Sequence, residues 1–175
     1  MQIMNLQKKK KVLKFILLNL NMQKTLIILK PDSVTRWITG EIISRLEKKG
    51  LKLVASKMVR LTEDQLKDHY SHLADKPFFP GIVEFMTSAP VILQVWEGKD
   101  VVEVVRLMAG VTNSRQAQPG TIRGDYSMSI GNNVIHASEN LEAAKEEVAR
   151  FFNEDEIYSY NRADDNMLYS PDERE

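Results

Sequence analysis

The order of patterns along this chain, β, α, β, α, β, α, β, predicts an α+β sandwich in which helices cover one face of a single sheet. Three observations carry the prediction. Short runs of β-branched and aliphatic residues alternate with runs whose apolar residues recur at helical spacing. The length of 175 residues suits one domain with its own core. The sequence shows no internal repeat and no second domain.

Residues 25–29 form a short β-type run that Lys30, Pro31 and Asp32 end, so the first strand delivers Lys30 to a turn. Across residues 37–49, Ile38, Ile42, Ile43 and Leu46 make an apolar stripe while Glu41, Arg45, Lys48 and Lys49 face outward, and Gly50 supplies the stop of a helix. Residues 51–61 carry Leu53, Ala55 and Val59 as a second strand. Thr62, followed by Glu63 and Asp64, opens a short helix through Tyr70. Residues 79–87 read as helix, 90–96 as a buried strand, and 101–109 as a helix ending near Gly110. Residues 128–135 supply the last strand, interrupted at Gly131. After Ser138, which is placed to cap it, comes a helix with the stripe Leu141, Ala144, Val148 and Phe152. Beyond Asn153 the chain turns acidic and aromatic, too polar for a separate core. This tail is expected to drape over the domain or a neighbouring subunit, with residues 170–175 disordered.

The totals exclude several classes. With 24 basic and 24 acidic side chains the net charge is zero, so no global field draws the protein to nucleic acid or an anionic membrane. The absence of cysteine rules out disulfides, thiolate metal sites and a cysteine nucleophile, and suits a reducing cytoplasm. Residues 1–21 differ from the rest. Lys8 to Lys11 precede an apolar run that Lys14 and Asn19 interrupt, without a small-residue cleavage site and too short to span a bilayer. The expected organisation is a leader at 1–21, disordered or produced by a start upstream of Met22, a domain at 22–160 and a tail at 161–175.

The candidate chemistry centres on His136, which ends an apolar strand-like run after the long polar stretch 112–131. Neither a G-x-x-x-x-G-K-[ST] loop nor a G-x-G-x-x-G following a strand occurs, so phosphate must be held by side chains. Lys30, Arg106, Thr112, Arg115 and Arg123 are the candidates, since guanidinium forks pair with phosphate oxygens and lysine supplies a point charge. A long loop without secondary structure is uncommon in a compact domain unless it binds something. The local pattern leaves two readings of His136 open: a nucleophile, or a buried imidazole satisfied by a backbone carbonyl. On the following helix Glu147 falls at the edge of the apolar stripe, whereas Glu146 points to water, so Glu147 is the better orienting carboxylate. His69 and His72 stand at i and i+3 with no pattern to complete a metal site, and are expected on a surface helix. In Pro77-Phe78-Phe79-Pro80 one aromatic should pack inward and the other is free to form a platform for a base.

With these residues in place the chain strongly resembles the nucleoside diphosphate kinases. The resemblance runs from Thr25 to Phe152, more loosely to Tyr160, and rests on T-L-I-I-L-K-P-D-S-V at Thr25, H-Y at His69, K-P-F-F-P-G at Lys76, V-W-E-G at Val95, P-G-T-I-R-G-D-Y at Pro119 and N-V-I-H-A-S at Asn133. It implies a ferredoxin-like fold with a four-stranded antiparallel sheet, and transfer of the γ-phosphate of a nucleoside triphosphate, mainly ATP, to nucleoside diphosphates of any base. The implied route is a ping-pong cycle through a phosphohistidine at His136, with Mg2+ carried by the nucleotide. By the same matching Lys30, Tyr70, Arg106, Thr112, Arg123 and Asn133 line the phosphates and sugar, Phe78 stacks on the base, and Glu147 and Ser138 steady the ring. A homo-oligomer, hexamer or tetramer, is implied as well. Three positions depart from the family's commonest pattern: Ser33 and Ala137 stand where glycine is frequent, and Ser114 where many members have proline. A silent nucleotide-binding scaffold of the same fold is the alternative. A ferredoxin-like nucleic-acid binder is disfavoured by the balanced charge and the lack of an aromatic ribonucleoprotein motif.

Overall fold

The computed structural model describes residues 22–173, so the leader expected at 1–21 and the last two residues lie outside the described residues. Strand β1 (Met22–Leu29) leads into helix α1 (Pro31–Thr35) and then α2 (Thr39–Lys48). Strand β2 (Lys52–Val59) follows, then α3 (Glu63–His69), α4 (Phe79–Thr87), β3 (Val91–Lys99) and α5 (Val101–Ala109). Helix α6 (Ile122–Tyr126), β4 (Ile135–Ala137), α7 (Leu141–Phe151) and α8 (Asp165–Leu168) complete the order. The four strands form one sheet in the order β2-β3-β1-β4, every pairing antiparallel. This is the ferredoxin-like α+β architecture that the resemblance implies.

Helices cover both faces of the sheet, not one. Alternate residues of a strand face opposite sides, and both sides of β1 are apolar: Ile27 and Leu29 pack with Ile42, Leu46, Val101 and Val105, while Leu26 and Ile28 pack with Leu66, Met86, Val148 and Phe151. The central strand is therefore a continuous hydrophobic run, as strands buried on both faces are. The runs at 25–29 and 90–96 lack the period-two signal that would have distinguished one covered face from two.

Local chemistry sets the ends. Proline at the first helical position of α1 loses no needed hydrogen bond, so Pro31 starts a helix where the sequence suggested only a turn. Helix α2 stops at Gly50, whose φ of 96° only glycine adopts without strain, and the Gly50 and Leu51 N–H groups donate to Glu47 and Leu46 carbonyls. Thr62 and Gln65 cap α3 reciprocally. Helix α7 is capped by Asn140, not by Ser138, whose hydroxyl is engaged elsewhere.

Of the expected strand at 128–135 only residue 135 is in strand: residues 128–134 form a loop, and β4 spans Ile135–Ala137. Likewise the stretch 112–131 is not structureless: it folds into a 3-10 turn at Ser114–Gln116 and helix α6, whose first turn Thr121 caps by accepting from the Gly124 N–H. The tail does drape over the domain. Tyr160 donates to the Leu53 carbonyl, Arg162 to that of Leu51, and Leu168 packs at Gly50. Ser170 and Glu173 share hydrogen bonds in a turn, so the expected disorder at 170–173 gives way to local order.

Helix α6 sits tightly on the preceding loop. A Cβ added at Gly124 would lie 2.1 Å from the Gln118 carbonyl oxygen, a backbone atom that cannot swing aside. Gly124→Ala is expected to lower the unfolding free energy by about 1–3 kcal/mol, the usual range for overpacking, measured by denaturant titration.

Candidate active site

The sheet register fixes where the site forms. His136 pairs directly with Ile28 across β4 and β1, and directly opposed residues project to the same face. That is the face covered by α3, α4 and α7. Lys30 lies two residues beyond Ile28 in β1's direction and so continues on the same side. His136, Lys30 and groups from the covering helices thus meet in one cavity of about 990 Å³, of the size small-molecule sites occupy.

On α7, Ala144, Glu147, Val148 and Phe151 are buried at helical spacing, which places one carboxylate within an otherwise apolar stripe. Its oxygen Oε2 accepts from Ser138 Oγ at 2.7 Å and lies 3.0 Å from His136 Nε2. Burial alone would raise the Glu147 pKa, but the hydrogen bonds and charge of His136, with that of Ser138, hold it below the usual carboxylate value. An ionised carboxylate only accepts, so the His136 nitrogen that faces it, Nε2, is the protonated one, and in the neutral ring the lone pair is then on Nδ1. Ser138 also accepts from the Leu26 N–H, tying the arrangement to β1.

The cations are held by neutral oxygens. Lys30 Nζ donates to Asn133 Oδ1 at 2.6 Å, and Asn133 Nδ2 in turn donates to the Thr112 and Ile130 carbonyls. Arg123, delivered by α6, donates to the carbonyls of Gly110 and Ile135. Among the described residues no carboxylate is hydrogen-bonded to either group, and the nearby Asp32 offsets the Lys30 charge only in part. Burial, then the nearby Arg123 charge, lowers the Lys30 pKa to about 8; burial, then Arg106, lowers that of Arg123 to about 10. Arg106, from the last turn of α5, lines the cavity beside them. Burial and the Glu147 charge raise the Tyr70 pKa, keeping its phenol neutral.

At the far wall Phe78 is 58% exposed while its neighbour Phe79 is buried. Phe78, Ile82 and Phe85 give that end an apolar surface. Thus Lys30, Tyr70, Phe78, Arg106, Thr112, Arg123, Asn133, His136 and Glu147 all line one cavity, with Ser138 behind the ring. Arg115 does not join them: it donates to the Met128 carbonyl outside the lining.

Two participants were missed in the sequence. His69 is buried at 6% exposure, its ring 4.7 Å from that of His136, while His72 alone is exposed as expected of the pair. Burial, then the His136 charge, lowers the His69 pKa to about 3, so its ring is neutral. Leu66 three residues earlier was the available signal, since i and i+3 share a helix face. Asp32 is the second. Its carboxylate accepts from the Ser33 and Val134 N–H groups. Val134 has φ 61°, a left-handed conformation that strains a β-branched residue by about 1–3 kcal/mol.

The sequence profile described as nucleoside diphosphate kinase matches residues 23–157. A nucleoside diphosphate kinase of Parabacteroides distasonis is 53% identical over 152 residues, covering 87% of this chain and 99% of that protein. One from Archaeoglobus fulgidus is 45% identical over 148 residues, covering 85% and 98%. Among solved structures, a halophilic nucleoside diphosphate kinase from Halobacterium salinarum in complex with CDP superposes with a TM-score of 0.82 at 44% identity, over 85% of this chain and 99% of that one. An apo form of the enzyme from Encephalitozoon cuniculi gives 0.81 at 42%, over 84% and 99%.

The Lys30 ammonium makes anion binding pH-dependent with a definite sign. Its depressed pKa means that the charged form predominates below about 8 and is lost above it. Affinity for inorganic tripolyphosphate, measured by calorimetry, is expected to fall as pH rises through about 8, and Lys30→Gln should remove that component of the profile.

Proposed function

The chain belongs to the nucleoside diphosphate kinase family, and on that premise we propose that His136 Nδ1 carries a phosphoryl group from a nucleoside triphosphate to a nucleoside diphosphate. The enzyme is a phosphotransferase that binds nucleotides. The observation that carries the role of His136 is the 3.0 Å contact from Nε2 to Glu147, which frees Nδ1 for attack. In the first half-reaction the Nδ1 lone pair forms a bond to the γ-phosphorus as the bond from that phosphorus to the bridging oxygen breaks, and the diphosphate leaves with the electron pair. In the second a terminal oxygen of another diphosphate attacks the same phosphorus and the nitrogen departs with its lone pair. Glu147 stabilises positive charge on the ring while Nδ1 is bonded, so it favours the intermediate in both directions. Ser138 holds the carboxylate in place.

Lys30, Arg106 and Arg123 meet oxygens whose charge redistributes during transfer, which is positional and electrostatic work. Their neutral anchors keep that charge available for the ligand. Tyr70, Thr112 and Asn133 complete the phosphate and sugar contacts. Phe78 offers a flat apolar surface common to every base, and stacking without base-edge hydrogen bonds discriminates little, which supports broad base specificity. The cations where phosphate is expected fit a magnesium ion carried by the nucleotide rather than by a protein cage. When bound, Mg2+ neutralises phosphate charge.

The reading includes a homo-oligomer of four or six subunits, supported by the exposed apolar side chains of Trp37, Met128 and Ile130, and residence in the cytoplasm, supported by the cysteine-free chain. No helix among the described residues is long and apolar enough to cross a membrane.

Incubation with γ-labelled ATP tests the transfer. Wild-type protein should take up acid-labile label that a nucleoside diphosphate discharges, and His136→Ala should take up none; label persisting in that variant would place the nucleophile elsewhere. Glu147→Gln should lower kcat ~10–100-fold, because the ring loses the partner that selects its tautomer. Phe78→Ala should raise KM by roughly tenfold, the loss of one stacking contact. Light scattering during size-exclusion chromatography checks assembly, where a monomer would refute it.

A further inference from the structure

We propose that His69, His136 and Glu147 form a binding site for a borderline-soft divalent ion, represented by zinc, and that the ion and a phosphoryl group exclude one another at His136. The second half of this proposal rests on His136 being the nucleophile. One donor atom from each of the three residues lies within 4.8 Å of the others. The His69 and His136 rings stand 4.7 Å apart at 75°, and Glu147 already contacts the His136 ring.

His69 is the independent sign that something else belongs here. The residue is 6% exposed, lines the cavity, and neither ring nitrogen has a hydrogen-bond partner. Nucleotide transfer as derived above gives this side chain no task. Buried polar atoms in native proteins are nearly always paired, and an orphan calls for a ligand or a function. Its ring packs against those of Tyr70, His136 and Phe151 without a polar tether, so rotation toward His136 breaks no hydrogen bond.

The donor set selects the ion. Two imidazole nitrogens and one carboxylate oxygen, with a fourth position open to the cavity, are the ligands of catalytic-type zinc sites. Magnesium prefers oxygen donors in a strict octahedron and competes poorly for imidazole. Zinc–ligand bonds of ~2.0–2.1 Å in a tetrahedron set donors roughly 3.4 Å apart, so the cluster must tighten by about an ångström.

Exclusion follows from proton and lone-pair accounting. If the ion takes Nε2 of His136, the ring proton moves to Nδ1 and the attacking lone pair is gone. If the ion takes Nδ1, the nucleophile is occupied directly. A phosphoryl group on Nδ1, with Nε2–H donating to Glu147, leaves the ion no His136 nitrogen. The ion therefore holds the enzyme in its unphosphorylated, inactive form.

Cobalt(II) is the probe, because tetrahedral Co2+ absorbs in the visible region and zinc displaces it. The chain has no cysteine and only three histidines, of which His72 is exposed, so few other sites can give such a band. Metal-free full-length protein in excess Mg2+ should bind one equivalent of Co2+, with displacement by Zn2+ and parallel loss of transfer activity. His69→Gln and His69→Phe should weaken binding ~10-fold or more. The phenylalanine variant replaces two unpaired polar atoms with an apolar ring, and its thermal melt verifies folding. Enzyme first phosphorylated with ATP and freed of nucleotide should give no band. Absence of saturable binding, a band unchanged in both His69 variants, or a band retained in the phosphoenzyme would overturn the proposal. Uptake of label from γ-labelled ATP separates the two readings: protein that takes label but no cobalt refutes only the metal site, whereas protein that binds cobalt through His69 and takes no label refutes the nucleophile.

Discussion

One hydrogen bond, from His136 Nε2 to Glu147 Oε2, joins the sheet to the helix that covers it and decides which ring nitrogen is free. It depends on two registers at once. The pairing of His136 with Ile28 puts the imidazole on the face that α7 covers, and a slip of one residue would turn it to the opposite face. On α7, the spacing of Glu147 from Ala144, Val148 and Phe151 puts the carboxylate inward among apolar neighbours. A buried carboxylate without partners would protonate; with Ser138 and His136 as partners it stays ionised. The apolar packing on both faces of β1 therefore aligns His136 with Glu147 as well as stabilising the fold.

The cations across the cavity are held as Glu147 is, by hydrogen bonds to neutral groups: Lys30 and Arg123 are anchored by amide and carbonyl oxygens, with no carboxylate hydrogen-bonded to either among the described residues. Burial first, and then repulsion from a neighbouring cation, lowers both pKa values. An anion bound between the cations would offset the repulsive part. Asp32 is close enough to raise the Lys30 pKa somewhat, yet its oxygens are spent on the Ser33 and Val134 N–H groups. In that position it supports the strained backbone before His136 without neutralising the lysine.

The legible parts of the sequence were those in which local pattern and tertiary environment agree. Residues 79–87 and 101–109 coincide with α4 and α5, whose apolar stripes carry the period of a helix against a core. The misplacements share a cause. The segment 128–135 has strand-like composition, but Asn133 directs its side-chain amide to the Thr112 and Ile130 carbonyls and Val134 takes a positive φ, so pairing starts only at Ile135. The bond to Thr112 reaches across 21 residues, the one to Ile130 closes a local turn, and neither leaves a periodic trace. His69 was misjudged differently. Histidine is intermediate in its tendency to be buried, so its identity decided nothing, and the buried Leu66 on the same helix face was the one local hint. Within the site, residue identity pointed to the chemistry, while which nitrogen is free and which cations lack a counter-charge emerge only from three-dimensional contacts.

The three departures from the family's common pattern have unequal physical consequences. Ser33 is fully buried, and its hydroxyl donates to the Lys30 carbonyl at 2.8 Å, so the side chain stabilises the turn it occupies. Ala137 pairs with Ile27 in β4 and does not have a positive φ, so nothing in its backbone requires glycine. With the ring fixed by Glu147 on the other side, the extra methyl leaves the imidazole oriented. Ser114 is different. It is 3% exposed and its hydroxyl finds no partner, a deficit of about 1–3 kcal/mol for a buried polar group. Proline at this place would bring no orphan hydroxyl and would restrict the unfolded chain, though it would remove the Ser114 N–H that donates to the Ser129 carbonyl. The departure thus gains one backbone link across the loop at the cost of one unsatisfied hydroxyl, and its weight falls on the loop between Thr112 and Arg123 rather than on His136.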